Sequence, residues 1–389
     1  MKSIRFNHFF RLLVLLAALL EFSANAGAAL SFIFTNSAHA LLPRRASIIF
    51  IQVDGLGYGD LSCYGQTKFQ TPNLDKLAAE GIRFTNYSVA GASALSQAAL
   101  MLGKNPAHLQ RRADADVPLA ADEITVAQIL KKSGYRTGLI GGWNLGGENS
   151  SGAPWKKGFD EFAGYLNPAD GKNFYADYMF RYAPHSRFNP TNHQSSVFIG
   201  REELYYNTGG KQGTYIPDLF TKAALNFVKI NHPDQFNHYR PFFLLLNYEI
   251  PGKKIEVPTD APYSDEPWPQ PEKNKAAFIA RLDNYVGELR GQLEKIGMTN
   301  NVVIFFSSAG IPKKTAEIDP DFFHSNISTN DFRAAMIVNW PGKIPAGQVS
   351  DYKWSARDFL PTAAKIAYAQ SPTNIDGTSI LPVLTGGKK

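Results

Sequence analysis

Residues 48–103 read IIFIQVDGLGYGDLSCYGQTKFQTPNLDKLAAEGIRFTNYSVAGASALSQAALMLG. The stretch opens on a short, apolar, β-branched run, which is typical of a strand buried on both faces of a parallel sheet. Residues 73–81 then carry apolar side chains at helical spacing and end at a glycine, which predicts a helix with a glycine C-cap. A second helix is predicted to run through residues 98–102. This order of elements indicates an α/β fold.

The same alternation continues along the rest of the chain. Further helices are predicted over residues 125–133, 218–230 and 276–296, and further strands over residues 135–140, 241–247 and 302–306. This order predicts a doubly wound, mostly parallel sheet with helices on both faces. Residues 149–212 are less periodic and richer in Gly, Pro, Asn and aromatic residues, and we interpret them as a long surface excursion.

Four side chains fall just after predicted strands, namely Asp54, Trp143, Tyr248 and Ser308. In a doubly wound sheet, ligands bind in the crevice outside the carboxyl ends of the strands. We therefore expect these four residues to face one shared crevice.

The N-terminus has the pattern of a secretory signal. Three basic residues precede the apolar run 12–20, and small residues follow, so we predict cleavage after Ala26, with an alternative after Ala40. The apolar run is about half of the roughly 20 residues that a membrane-spanning helix needs. We predict export to the periplasm or the extracellular space and one α/β domain over residues 47–385.

Charge and cysteine content limit the class of partner. The formal net charge of +6 falls to +4 when Lys2, Arg5, Arg11 and Glu21 are removed with the signal, since 6 − 3 + 1 = 4. This mild basicity is not the basic stripe of a nucleic-acid-binding protein, and it is compatible with an anionic partner. Cys63 is the only cysteine, which excludes an intramolecular disulfide and a cysteine-based zinc site. We interpret it as a packed small residue.

Five blocks of the sequence resemble sulfatases in order and spacing. They are residues 48–103, 134–138 (GYRTG), 157–166 (KGFDEFAGYL), 339–344 (NWPGKI) and 376–382 (DGTSILP). The chain is identified as a member of the sulfatase family, with an arylsulfatase-like N-terminal domain of the alkaline phosphatase superfamily. The resemblance implies the scaffold of a sulfuric ester hydrolase. It also implies a smaller C-terminal subdomain, which we expect to be missing because the sequence stops soon after the last block.

The metal positions implied by the resemblance are mostly changed. Sulfatases bind Ca²⁺, or sometimes Mg²⁺, with two Asp after the first strand and an Asp-Asn or Asp-His pair after a later one. Here these positions hold Asp54, Gly55, Ser308 and Ala309. Because Ca²⁺ affinity follows the number and charge of its oxygen ligands, we expect no resident metal, or Ca²⁺ or Mg²⁺ held weakly at Asp54. The alternative role for Asp54 is to cap the turn that follows the strand.

The nucleophile position is also altered. By the resemblance, sulfatases convert a Cys or Ser in a C/S-x-P/A-x-R sequence to formylglycine, and residues 93–97 read SALSQ. Ser93 is an allowed precursor, but Leu95 and Gln97 replace the Pro/Ala and the Arg. Because the modifying enzyme reads those neighbours, we expect Ser93 to remain serine. A plain serine needs an activating base or metal to attack well.

The sulfate-facing cations implied by the resemblance are largely missing. The family's GKWHLG reads GGWNLG over residues 141–146, so Gly142 replaces Lys and Asn144 replaces His. The family's APH reads IPG, so Gly252 replaces another His, and a further Lys position falls near His324. Such cations would neutralise an anionic transition state.

Other side chains could build a replacement site, and each has a plain structural alternative. Asp319, Asp321 and His324 form either a base or ligand set or a solvated loop. Lys253 and Lys254 either bring charge to the crevice or form a surface pair.

Three residues beside predicted strand ends have the same ambiguity. Glu249 either faces the pocket or is solvated at its strand end. Trp143 and Tyr248 either present aromatic faces to a sugar or belong to the core.

These observations favour an exported, catalytically impaired sulfatase-family protein that binds an anionic or sulfated carbohydrate, a ligand class suggested by family analogy alone. The alternative is an active sulfuric or phosphate ester hydrolase that uses Asp54 and Ser93 with a divalent metal. A third interpretation is the product of a decaying gene. Ester hydrolysis that depends on Ser93 distinguishes the second function from the first.

Overall fold

The apolar run that opens the quoted stretch forms β1 (Ser47–Asp54), in the middle of the sheet. It pairs in parallel with β7 (Phe242–Glu249) on one side and with β8 (Val302–Ala309) on the other. Only Asp54, at its end, is not fully buried. A strand with neighbours on both sides and helices on both faces has no solvated face, which explains its nearly continuous apolar sequence.

The computed structural model describes residues 45–90, 92–109, 117–167, 174–189, 194–250, 254–309 and 333–387, without the side chains of 184–196. The remaining strands are β2 (Ile82–Ser88), β3 (Arg136–Gly142), β4 (Glu161–Tyr165), β5 (Tyr178–Asn189), β6 (Gln194–Glu203), β9 (Arg333–Asn339), β10 (Gln348–Ser350) and β11 (Trp354–Ser355). The helices are α1 (Pro72–Ala79), α2 (Ser93–Leu102), α3 (Val126–Lys132), α4 (Ile216–Asn231), α5 (Gln270–Lys295), α6 (Phe359–Ile366) and α7 (Leu381–Leu384).

The described strands form one mixed sheet in the order β10-β2-β9-β8-β1-β7-β3-β4-β5-β6, with β11 paired to β2. The central strands β8, β1, β7, β3 and β4 are parallel, while β9 and the pair β5 and β6 run antiparallel to their neighbours. The predicted fold class, a mostly parallel α/β sheet, is confirmed.

Two apolar cores lie on opposite faces of this sheet. Along β1, Ile48 and Phe50 pack with residues of α2, α3 and α6, while Ile49 and Ile51 pack with residues of α1, α4 and α5. Alternate residues of a strand point to opposite faces, so both faces are covered by helices, as a doubly wound sheet requires.

The prediction of a surface excursion over residues 149–212 is wrong, because β4, β5 and β6 extend the sheet there. β4 approaches β3 so closely that a Cβ at Gly164 would lie 2.0 Å from the Gly141 carbonyl oxygen. Close backbone approach accounts for such glycines within a strand. β6 is an edge strand with Val197 and Ile199 about half exposed, so it lacks the apolar run by which buried strands are recognised.

The predicted secretory signal lies within residues 1–44, outside the described residues. Among the residues that the structure describes, no helix combines the length and the apolar character needed to span a membrane.

One edge of the sheet collects the carboxyl ends of the central parallel strands and of β2. β2 is antiparallel to β9, and β9 is antiparallel to β8, so β2 runs in the same direction as β8 and β1. The ends of β1, β2, β3, β4, β7 and β8 therefore lie at one edge. In sheets of this kind, that edge is where ligands bind.

Candidate active site

The end of β1 is held between the ends of its two neighbours. Asp54 is in register with Glu249 of β7 and with Ala309 of β8. Its carbonyl oxygen accepts the Ile250 N–H at 2.9 Å, and the next N–H, of Gly55, donates to the Ala309 carbonyl at 3.1 Å. In parallel strands, residues in register point to the same face, so the Asp54 and Glu249 side chains share one face of the sheet.

The four positions that hold the metal in sulfatases provide few oxygen ligands here. Gly55 adopts the left-handed region with φ +79°, and a Cβ there would lie 3.1 Å from the Ile250 carbonyl oxygen. Ser308 is in register with Val53, and its Oγ accepts the Ala335 N–H at 2.8 Å. Ala309 has no polar side chain. Ca²⁺ takes six to eight oxygens, so a donor set of one carboxylate and one engaged hydroxyl does not fit it.

The nucleophile position lies at the start of α2, after a short loop from β2. The helix begins at Ser93. Its N-cap residue, Ala92, provides no side-chain hydrogen bond to the first turn. Ser93 is half-buried, and within the described part of the chain no side chain hydrogen-bonds to its hydroxyl. The structure thus shows no activating base for it among those residues.

Gln97 has a structural contact in place of the family's arginine. Its side chain is 2% exposed, and Nε2 donates to the Gly142 carbonyl oxygen at 3.1 Å. This bond joins the first turns of α2 to the last residue of β3. The sequence indicated only that a cation is missing here.

A carboxylate stands beside the two positions where the family has Lys and His. A Cβ at Gly142 would lie 3.3 Å from the carboxylate carbon of Glu249. Asn144 Nδ2 donates to Glu249 Oε1 at 3.1 Å. Asn144 has φ 56°, a left-handed conformation that Asn tolerates better than most residues. The Glu249 side chain therefore faces the pocket, which is the first of the two alternatives given for it.

Within the described part of the chain, three buried amide oxygens at this edge have no hydrogen-bond partner. They are Gln52 Oε1, Asn144 Oδ1 and Asn247 Oδ1, and each residue is 6 or 7% exposed. Gln52 and Asn247 are in register on β1 and β7, and Asn247 Nδ2 donates to the Gly142 carbonyl at 2.8 Å. We call Gln52, Gly142, Asn144, Asn247 and Glu249 the acceptor corner.

Sequence reasoning did not identify Gln52 and Asn247 as members of the site. Each interrupts an otherwise apolar buried strand, in IIFIQVD and in FFLLLNYE. A polar residue two positions before a strand-end carboxylate is on the same face as that carboxylate, and this signal could have identified both.

Trp143 and Tyr248 belong to the core, the second of the two alternatives for these rings. Trp143 is 0% exposed, donates from Nε1 to the Gly152 carbonyl at 2.7 Å, and packs edge-on against Phe159. Tyr248 is 3% exposed, stacks on Tyr285, and hydrogen-bonds through its hydroxyl to Thr221 at 2.7 Å. Burial raises the pKa of the Tyr248 phenol well above its ordinary value. Neither ring is available to a sugar.

Several predicted site residues lie outside the described residues, namely Gly252, Lys253, Asp319, Asp321 and His324. Lys254 is described and forms an exposed ion pair with Glu256 at 3.2 Å. Across the described ranges, no three His, Cys, Asp or Glu side chains converge as a metal site requires.

Comparison with known proteins agrees with the fold. The model of the sulfatase family matches residues 46–369. The chain is 28% identical to the N-acetylgalactosamine-6-sulfatase of Canis lupus familiaris, over 89% of this chain and 67% of that protein.

Two solved structures extend the comparison. The structure of Ps i-CgsB in complex with k-i-k-neocarrahexaose is similar with a TM-score of 0.70 and 26% identity, over 87% of this chain and 76% of that one. A structure solved with its substrate D-glucosamine-2-N,6-O-disulfate has a TM-score of 0.65 at 21% identity, over 89% and 81%, and shows the shared fold. With its family match over most of its length, the chain belongs to the sulfatase family.

Proposed function

We propose that this sulfatase-family protein binds a carbohydrate without hydrolysing sulfate esters. The observation that carries the proposal is the Glu249 carboxylate, which borders Gly142 and accepts a hydrogen bond from Asn144. In the family these two positions supply Lys and His. The transition state of sulfate ester hydrolysis is stabilised by cations placed where negative charge develops, and neither Gly142 nor Asn144 supplies one.

The nucleophile and the metal positions support the same proposal. Ser93 has no described hydrogen-bonding base, and Gln97 is engaged with the Gly142 carbonyl. At the metal positions, Asp54 is the one carboxylate. We therefore propose that Ser93 stays unmodified and that the protein has no resident Ca²⁺ or Mg²⁺.

A sulfated or otherwise anionic glycan is the ligand class we propose, with its anionic groups held outside the acceptor corner. Support comes from relatives, one named as an N-acetylgalactosamine-6-sulfatase and one solved with a neocarrahexaose. The net charge of +6 favours an anionic partner weakly. We also propose that the protein is exported, on the strength of its signal-like N-terminus.

The test is hydrolysis of 4-nitrophenyl sulfate and 4-nitrophenyl phosphate by the purified protein with Ca²⁺, Mg²⁺, Mn²⁺ or Zn²⁺ added. We expect no turnover above that of the Ser93→Ala variant. Ser379→Ala, which changes a serine in the distant C-terminal segment, is the matched control.

Turnover that Ser93→Ala abolishes and Ser379→Ala retains would overturn the proposal. It would establish instead the alternative, an ester hydrolase that uses Asp54 and Ser93 with a divalent metal. Binding is tested separately on an array of sulfated and unsulfated glycans. Poor thermal stability together with no bound glycan would favour a decaying gene product.

A further inference from the structure

The amino edge of the sheet, at which β1, β3 and β7 begin, carries a group of exposed aromatic and apolar side chains. Ile230, in the last turn of α4, is more than half exposed, and Phe236, in the loop from α4 to β7, is 79% exposed. Tyr239 in the same loop and Tyr368, beyond the end of α6, are also more than half exposed. Single exposed apolar residues are ordinary, but a group of them marks an interaction surface.

The loop that presents Phe236 is held in shape by its own hydrogen bonds. Asp234 Oδ1 accepts the Phe236 N–H at 2.9 Å and the Asn237 N–H at 2.8 Å. The Asp234 carbonyl oxygen accepts the Tyr239 N–H at 2.8 Å, and Asn237 Nδ2 donates to the Ile230 carbonyl at 2.9 Å. The backbone is therefore ordered around an apolar ring that faces solvent.

Basic residues surround this loop. Arg45 precedes β1 and Arg240 precedes β7, and these two strands are parallel neighbours. Arg240 Nε donates to the Gly134 carbonyl oxygen at 3.1 Å, just before β3. Three helices end at this edge with a lysine in the last turn, namely Lys132 on α3, Lys229 on α4 and Lys365 on α6.

The carboxylates among these elements lie next to basic partners. Asp160 forms an ion pair with Lys131 at 2.8 Å, and Asp234 lies 3.3 Å from the His232 ring. The third, Glu161, is only partly exposed. A surplus of positive charge therefore remains. The negative ends of helices favour lysines by themselves, but they do not account for an exposed phenylalanine between them.

From this arrangement we infer that the amino edge rests on a phospholipid bilayer with anionic headgroups. Phe236 and Ile230 enter the boundary between headgroups and acyl chains, while Tyr239 and Tyr368 lie at the level of the headgroups. The lysines and arginines keep their charges near lipid phosphates and bury only their aliphatic stems.

The breadth of this surface favours a bilayer over a polyanionic chain. The helices α3 and α6 cover one face of the sheet and α4 covers the other, so the basic residues spread across the whole thickness of the molecule. Phe236 and Ile230 have no polar group with which to hold a sugar hydroxyl. A polyanionic glycan at this edge is an outcome of the test.

The inference is independent of the proposed function and adds an orientation to it. The eight residues of β1 span about 26 Å at roughly 3.3 Å per residue, from the amino edge to the acceptor corner. A protein that rests on its amino edge therefore presents the ligand-binding edge away from the membrane.

The first experiment is fluorescence quenching of the full-length protein by vesicles of phosphatidylglycerol and brominated phosphatidylcholine. Phe236→Trp places a reporter at the inferred contact. Tyr206→Trp is the matched control, because Tyr206 is 76% exposed and follows β6, which ends at the opposite edge. We expect the added tryptophan to be quenched in Phe236→Trp and unaffected in Tyr206→Trp. This readout decides even if another part of the chain also binds the vesicle.

The second experiment is co-sedimentation with vesicles that contain equal parts of phosphatidylglycerol and phosphatidylcholine, or phosphatidylcholine alone. We expect the anionic vesicles to bind about tenfold more tightly at low salt, and high salt to remove most of that difference. Phe236→Ser should weaken binding about tenfold, and Tyr206→Ser should leave it unchanged.

A pair of charge variants tests the basic residues in the same assay. Lys229→Gln combined with Lys365→Gln should weaken binding to anionic vesicles about tenfold or more. The control combines Lys211→Gln with Lys254→Gln, two exposed lysines at the opposite edge, and should leave binding unchanged. Circular dichroism checks that every variant is folded.

The inference is overturned by equal quenching of the two added tryptophans, by vesicle binding that ignores phosphatidylglycerol, or by equal effects of the variants at the two edges. Dextran sulfate that binds the protein, with the same loss in Phe236→Ser, would assign this edge to a polyanionic chain and overturn it too. None of these results depends on whether sulfate esters are hydrolysed.

Discussion

The molecule has two groups of buried polar side chains that differ in how completely they are hydrogen-bonded. In the first, which we call the framework, Asp60, Lys275 and Asp283 join α5 to the loop after β1 and to α1. Lys275 Nζ lies 3.0 Å from an Asp60 carboxylate oxygen, and both side chains are less than a tenth exposed. Asp283 accepts hydrogen bonds from both nitrogens of Asn73 and from the Leu74 N–H, at the start of α1.

The acceptor corner is equally buried but incompletely paired. Among the residues that the structure describes, its three amide oxygens have no hydrogen-bond partner, whereas the framework carboxylates have charged or backbone donors. Framework residues hold elements together, so an unpaired atom there would bring only a loss of stability. An unpaired acceptor at the ligand-binding edge of the sheet can receive a hydrogen bond from a ligand. The comparison therefore distinguishes polar groups that join elements of the fold from polar groups whose pairing is incomplete within the described residues.

The largest effect is expected from breaking the framework ion pair. Lys275→Met leaves the fully buried Asp60 carboxylate without its cation, and we expect the free energy of unfolding to fall by about 3–5 kcal/mol. Urea denaturation followed by circular dichroism measures it. Lys254→Met, in an exposed pair with Glu256, is the control and should change stability by less than about 0.5 kcal/mol. Equal effects of the two variants would show that the Asp60–Lys275 pair is not structural.

A smaller loss is expected at the start of α1. Asp283→Ala leaves the Asn73 and Leu74 N–H groups without their acceptor, and we expect a loss of about 2 kcal/mol. The same denaturation experiment measures it. A change indistinguishable from zero would mean that water replaces the carboxylate, and the contrast with the acceptor corner would weaken.

The acceptor corner should respond in the opposite direction. Gln52→Leu removes an unpaired buried oxygen at similar volume, so we expect a change within about 1 kcal/mol of zero, or a gain. Gln97→Leu is the matched control, because this buried glutamine donates to the Gly142 carbonyl. We expect that variant to lose about 1–2 kcal/mol. If Gln52→Leu loses as much as Gln97→Leu, the Gln52 oxygen is already satisfied.

The smallest effect concerns Cys63, next to the framework. Burial, reinforced by the nearby Asp75 carboxylate, raises the pKa of its thiol to about 12. At pH 8 about one thiol in ten thousand is then ionised, and the thiolate is the reactive form. We expect iodoacetamide to label the native protein far more slowly than the urea-unfolded protein, as measured by intact mass. Rapid labelling of the native protein would contradict the raised pKa of this half-buried thiol.

The sequence predicted the central part of the fold because its strands are apolar on both faces. β1, β3, β7 and β8 and the helices α1 to α5 were recognisable from their own residues, whereas α6, which packs on β1 and β8 through Phe359, was not predicted. β5 and β6 were not, because a pair at the sheet margin lacks that apolar run. α5 begins at Gln270, earlier than the predicted residue 276, since its polar first turns follow Pro269 and carry little periodicity.

Only part of the acceptor corner can be predicted from the sequence. The loss of the family's Lys and His at residues 142 and 144 can be read from the sequence. The contact between Asn144 and Glu249 cannot, because it joins residues more than a hundred positions apart through the pairing of β3 with β7. The juxtaposition of Gln52 and Asn247 likewise depends on strand pairing, in this case of β1 with β7.

The central claim is that the sulfate position of this sulfatase-family protein no longer binds an oxyanion. The most direct measurement is the anomalous difference map of protein crystals soaked in selenate, a heavy analogue of sulfate. The account predicts no selenium peak within hydrogen-bond distance of Gly142, Asn144 or Glu249. A selenium peak bound between Gly142 and Asn144 would contradict it, because an oxyanion would then bind there without the family's Lys and His.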